Sequence, residues 1–241
     1  PSMPGYIGPD NVCAFAGGRP CTDTTADLYI NFSLACNYQA GDLTLIYDRY
    51  GSETDFVYLD GIQLGETACT ENVFCGNEFS LDALSIGDHT IRIEYGGGGS
   101  GNGHYIDYLK LESSMACLEV GIDIKPGSYP NSFNLNGNGV IPVAILGSDS
   151  FDVTQIDVNT VQFAGMDVRV KGNGAPQCSV KDVSGDFTSP EGAADGYDDL
   201  VCQFVDDPTL WSPDNGTATV RGSLYDGSQF YGSDSINLVP Q

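Results

Sequence analysis

The sequence predicts an all-β protein of two β-sandwich (jelly-roll-like) domains in tandem, preceded by an irregular N-terminal arm. Two observations carry this. From Asp27 onward, apolar and polar residues alternate in short runs rich in β-branched and aromatic side chains, the period of a half-buried strand. No stretch of useful length shows the helical period, and 31 Gly with 12 Pro cut the 241 residues into short segments.

Residues 1–22 hold four Pro and four Gly without periodicity and read as the arm. The first domain, 23–114, follows in the runs DLYINFSL, DLTLIYDRY, DFVYLDGIQL, FSLDAL, HTIRIEY and HYIDYLKLE. The glycine run from Gly96 to Gly103 reads as a hairpin loop, because no helix follows it to supply the dipole of a phosphate cradle. Around Ser113–Cys117 the pattern lapses. The second domain, 115–241, then runs through VIPVAIL, TVQFAGMDVRV, DLVCQFV, TATVRGSLY and SQFYGSDSINLV, with Asp226-Gly227 as a hairpin turn.

Composition narrows the partners. Nine Lys+Arg stand against 33 Asp+Glu, a formal net charge of −24, so nucleic acid and anionic membrane surfaces are excluded as partners. No apolar run approaches the roughly 20 residues that span a bilayer. Acidic disordered chains lack aromatics, whereas this chain has 13 Tyr and 11 Phe and therefore folds. Its self-repulsion calls for an offset, and Ca²⁺ is the simplest one.

Eight Cys without CxxC spacing point to disulfides and an extracellular or cell-surface location, with Pro1 expected to follow a removed signal peptide. Cys178 and Cys202 flank one acidic loop and fall opposite each other if that loop joins paired antiparallel strands. Cys69 and Cys75 suit a short local bridge; Cys13, Cys21, Cys36 and Cys117 allow three pairings.

The loop between that first pair is the strongest chemical signal. Alternate acidic residues in a tight turn converge on one point, the arrangement Ca²⁺ requires. Asp182, Ser184 and Asp186 begin such a loop, and Asp195, Asp198 and Asp199 finish it after an insertion. Phe187 stands where an uninterrupted loop has Gly.

With IDIKPGSYPNSFNLNGNGVIPVAIL, FDVTQIDVNTVQF, DVSGD…DGYDDLVCQF and YGSDSIN, residues 119–241 resemble a β-sandwich domain repeated in secreted bacterial and archaeal proteins. That resemblance implies an extracellular sandwich with an acidic Ca²⁺-binding turn and no established enzymatic activity. The chain departs from it by the insertion and by Ser184 in place of an acid. Through VYLDGIQLG, SIGDHTIRIEY and HYIDYLKLE the first domain looks like the jelly-roll carbohydrate-binding modules of families 6 and 35. This likeness implies Asp107 as a ligand of a structural Ca²⁺. Tyr50, Tyr95, His104 and Tyr105 are the candidates to stack on sugar rings.

Trp211, the only Trp, lies in a loop of turn formers and is either an exposed contact or a plug of the sandwich end. Asn31-Phe32-Ser33 and Asn215-Gly216-Thr217 match the glycosylation pattern. No HExxH or GxSxG motif is present. The expected function is a non-catalytic, calcium-stabilised extracellular structural or adhesive protein, the subunit of a surface filament or matrix polymer. It would join copies of itself, by strand addition from the N-terminal arm, with extracellular polysaccharide as a further partner. The alternative is a carbohydrate-binding accessory module of a secreted polysaccharide-degrading system; a hydrolase is the weakest reading.

Overall fold

A computed structural model describes residues 27–50, 54–67, 74–96, 106–134, 139–183, 194–211 and 216–239. The arm, 1–22, lies outside them. The chain divides into two compact units between Ala116 and Cys117. Among the described residues regular structure is strand, apart from single 3₁₀ turns at Val153–Gln155 and Pro208–Leu210.

The first unit contains β1 (Leu28–Leu34), β2 (Leu43–Tyr50), β3 (Asp55–Leu59), β4 (Ile62–Glu66), β5 (Phe74–Ser80), β6 (Gly87–Tyr95) and β7 (Ile106–Ser113). They form two antiparallel sheets, in the orders β1-β6-β3-β4 and β5-β2-β7. Alternation does what the sequence leads one to expect. Leu43, Leu45 and Tyr47 of β2 are fully buried, as are Val57 of β3 and Ile93 of β6, so the two sheets enclose a sandwich core. Each such apolar side chain contributes about 1.5–3 kcal/mol when removed from water.

Two sequence runs are corrected. DFVYLDGIQL is a hairpin, not one strand: Asp60 (φ 49) and Gly61 (φ 82) take the paired left-handed conformations of a two-residue turn between β3 and β4. FSLDAL overlaps a strand only at its start, since β5 runs Phe74–Ser80 and Leu84 is held by a lone bridge to Tyr38.

The second unit contains β8 (Cys117–Glu119), β9 (Ile122–Ile124), β10 (Ser132–Asn134), β11 (Val140–Ile145), β12 (Ile156–Phe163), β13 (Met166–Asp167), β14 (Cys178–Lys181), β15 (Asp199–Val205), β16 (Thr217–Leu224), β17 (Gln229–Ser235) and β18 (Asn237–Val239). One sheet is ordered β14-β15-β11-β9 and the other β13-β12-β16-β17-β8, with β10 and β18 as a small parallel pair. TVQFAGMDVRV is again a hairpin, turning at Ala164-Gly165. Asp226-Gly227 turns between β16 and β17 as expected.

The core of this unit is apolar and aromatic: Ile122, Val143, Phe163, Phe204, Val220 and Phe230 are all within 1% of complete burial. Trp211 belongs to it. The ring is 6% exposed, lies 5.1 Å from the Phe133 ring and 6.0 Å from that of Phe163, and its Nε1 donates to Asp206 Oδ1 at 2.8 Å. The plug reading therefore holds and the exposed-contact reading does not.

Candidate functional site

The acidic loop of the second unit is framed by a disulfide and two carboxylates. β14 and β15 pair antiparallel with Cys178 directly opposite Cys202, and the two sulfurs are bonded, with Cα atoms 4.1 Å apart. The bridge follows from the strand register, which sets Lys181 opposite Asp199 and carries both cysteines to one rung. Cys36, Cys75 and Cys117 are disulfide-bonded as well, and among the described residues no cysteine is free. Cys69 lies outside the described residues, as do Cys13 and Cys21. Cysteines in this state belong to an oxidising environment.

Asp199, fully buried at the start of β15, anchors the loop. Its Oδ1 accepts from Gly147 N at 3.0 Å and its Oδ2 from Val183 N at 2.9 Å. Gly147 is needed there because a Cβ would come within 2.2 Å of the Asp198 carbonyl oxygen. Asp182 closes the loop from the other side, its carboxylate accepting from Asp195 N at 3.1 Å and Gly196 N at 2.9 Å. Gly196 adopts φ 95, which a side chain would resist. Asp195 and Asp198 are exposed.

Four of the six predicted ligands thus surround one loop, with two of them holding its ends by backbone hydrogen bonds. Ser184 and Asp186 lie outside the described residues, as does Phe187. Among the described residues no three acidic, histidine or cysteine side chains converge as a metal centre would need. Beside the loop lies a cavity of about 440 Å³, bordered by Asp195, Gly147, Ser148, Phe151 and Glu119.

In the first unit two of the four sugar-stacking candidates, Tyr50 and Tyr95, fall at one end by topology. Tyr50 ends β2 opposite Phe74, and Tyr95 ends β6 opposite Asp55. Gly96 N donates to Thr54 O at 2.8 Å, tying the exit of β6 to the entry of β3. His104 and Tyr105 lie outside the described residues. Asp107 sits on β7 where the register with β2 shifts between Asp48 and Arg49, a bulge; bulges re-aim a strand at such a point.

Inside that same end lies a polar cluster that the sequence reading missed. Arg49 Nη1 is 3.0 Å from Asp55 Oδ2, and both side chains are completely buried. The Tyr47 hydroxyl donates to Asp55 Oδ2 at 2.8 Å, Arg49 Nη1 donates to Thr67 Oγ1 at 2.9 Å, and Asp55 N donates to the same Oγ1 at 3.1 Å. Burial first, then the Asp55 charge, raises the Tyr47 phenol far above its usual range. One signal was available: alternation from Leu43 through Leu45 and Tyr47 puts Arg49 on the inward face.

No family model matches the chain, and no curated protein does. Among solved structures it is similar to a GH2 β-galacturonidase from Eisenbergiella tayi bound to galacturonate, at 14% identity and TM-score 0.29, over 88% of this chain and 35% of that one. It is also similar to a Bifidobacterium dentium β-glucuronidase complexed with coumarin-3-O-glucuronide, at 12% identity and TM-score 0.26, over 87% of this chain and 39% of that one. The chain spans little more than a third of either enzyme.

Proposed function

We propose that the chain is a non-catalytic extracellular structural or adhesive protein that joins copies of itself, with Ca²⁺ stabilising its second unit. The observation that carries this is β1. All seven of its residues, Leu28–Leu34, pair with β6, and β1 ends its sheet, with no strand on its other side among the described residues. It holds no Pro to interrupt the edge. Such an edge offers a row of backbone N–H and C=O groups to an added strand.

Residues 1–22 precede this strand and are the segment assigned to add to a neighbour. A contact of that heterologous kind repeats into an open filament. The −24 charge opposes it, so Ca²⁺ or screening salt is required. The disulfides support an extracellular location, and the acidic loop of residues 182–199 supplies the cation site.

Sedimentation velocity and electron microscopy of the full chain test this at high concentration, with Ca²⁺ and with a chelator. Assembly in Ca²⁺, lost on deleting residues 1–22 while the monomer stays folded, is expected; a monomer under every condition defeats the reading. Chelation should also lower the melting midpoint, and an unchanged midpoint removes calcium from the account.

A second reading, sugar binding, is favoured by the gathering of Tyr50 and Tyr95 at one end of the first unit. Titration with oligosaccharides by calorimetry checks it, with Tyr50→Ala and Tyr95→Ala expected to abolish the heat.

A further inference from the structure

We propose that His89 is a proton-dependent lock in the first unit, closed when the imidazole carries both of its protons. Its Nδ1 lies 2.7 Å from Asp60 Oδ2 and its Nε2 lies 2.8 Å from the Ser85 carbonyl oxygen. An ionised carboxylate and a backbone carbonyl can only accept. A neutral imidazole has one N–H and one lone pair, so it leaves one of these contacts as acceptor facing acceptor. Only the imidazolium donates to both.

The surroundings fit a closed lock. The ring is 8% exposed and is covered by Phe32 of β1, whose ring centroid is 5.5 Å away. Asp60 is held by Thr90 as well as by His89: Thr90 N donates to Asp60 Oδ1 at 2.8 Å, and Asp60 N donates to Thr90 O at 2.9 Å. Asp60 stands in the β3–β4 turn, and Ser85 in the connection that enters β6. One imidazole therefore ties a hairpin turn, a strand and a connection together, in the sheet whose outer strands are β1 and β4.

The charged groups acting on His89 are Asp60, from the turn, and Asp88, from its own strand; Phe32 contributes no charge and Ser85 a carbonyl dipole. Burial alone would lower the imidazole, but the bonds to Asp60 and Ser85 and the two carboxylate charges outweigh it, and the net direction is upward. For Asp60 burial alone would raise the carboxyl, while the bonds from His89 and Thr90 bring it below the usual range.

The signs follow. The His89 contribution is complete below the ordinary histidine value of about 6.5 and is lost as pH rises through the raised native value. The Asp60 contribution is complete above the ordinary carboxylate value and is lost as pH falls through the lowered one. The lock is tightest between those limits and opens on the alkaline side by release of one ring contact.

NMR titration of the ¹⁵N-histidine-labelled full chain tests it, with His104, the only other histidine, identified by His104→Gln. We expect His89 to titrate above about 6.5, and Asp60→Asn to move it down. Hydrogen exchange at Ile86 and Gly87, corrected for the intrinsic pH dependence, should accelerate as pH crosses that midpoint, and the step should vanish in His89→Gln. A wild-type His89 midpoint at or below the ordinary value overturns the proposal. So does a protection step that persists in His89→Gln.

Discussion

The two units neutralise buried acid by different means. In the first, Asp55 is paired with a buried cation, Arg49, and takes a further bond from Tyr47. In the second, two buried carboxylates are cradled largely by backbone amides: Asp199 by Gly147 N and Val183 N, and Asp234 by Ile124 N and Ser235 N with Asn131 Nδ2. Nine basic residues stand against 33 acids, so cations are scarce relative to carboxylates over the chain as a whole. Backbone N–H groups cost no such residue, and at loop ends they have no strand partner to lose. An ion pair crossing between sheets specifies which strands face each other; an amide cradle specifies how a loop leaves its strand.

The comparison breaks most visibly at the ion pair. Arg49→Ala leaves Asp55 buried without its cation and should cost about 3–5 kcal/mol in denaturant unfolding of the first unit. The double change Arg49→Met with Asp55→Leu should cost clearly less than the single one. Equal losses would mean that the charge is not what the cluster is balancing.

In the second unit the largest effect should come from the disulfide. Cys178→Ala with Cys202→Ala should cost about 2–4 kcal/mol, read from guanidinium unfolding. The first unit's transition should not move.

Asp199→Asn sharpens the contrast between a cation and an amide cradle. The new amide can accept at one oxygen only, so its NH₂ faces the donor of Gly147 or Val183. The expected loss is about 1–3 kcal/mol, with faster hydrogen exchange at the amide that loses its acceptor. If Asp199→Asn is neutral, the carboxylate is not the anchor of the loop.

The smallest effect concerns the apolar core of the second unit. Trp211→Phe keeps an aromatic ring beside Phe133 and Phe163 but removes the bond to Asp206 Oδ1, and that bond alone accounts for about 0.5–1.5 kcal/mol. A loss several times larger, by calorimetry, would show that ring volume rather than the indole N–H is what this position needs.

Much of the fold was legible, and for a local reason. Alternation is a property of five to eight successive residues, so β2, β6, β15 and β17 could be placed from their own runs. The bridge between Cys178 and Cys202 was legible too, because pairing of the flanking strands carries both cysteines to the same rung. Asp60-Gly61 and Ala164-Gly165 were read through as strand, since the alternation resumes beyond each turn with little change of composition; the left-handed pair of conformations is what separates the strands. Asp182 and Asp199 were recognised as acids of one loop. That both hold the loop ends through backbone amides depends on where Gly147, Val183, Asp195 and Gly196 arrive in space.

The sequence by itself determined the all-β class and the division into two units, because the two-residue period and turn chemistry act between near neighbours. Only the tertiary structure decided that Arg49 meets Asp55 from the opposite sheet and that His89 finds acceptors at both ring nitrogens. It also decided that Trp211 fills a core instead of meeting solvent. Alternation states which side a residue faces, but not what stands across from it; that is settled when separate runs pack and each buried polar group must find a partner where water has been removed.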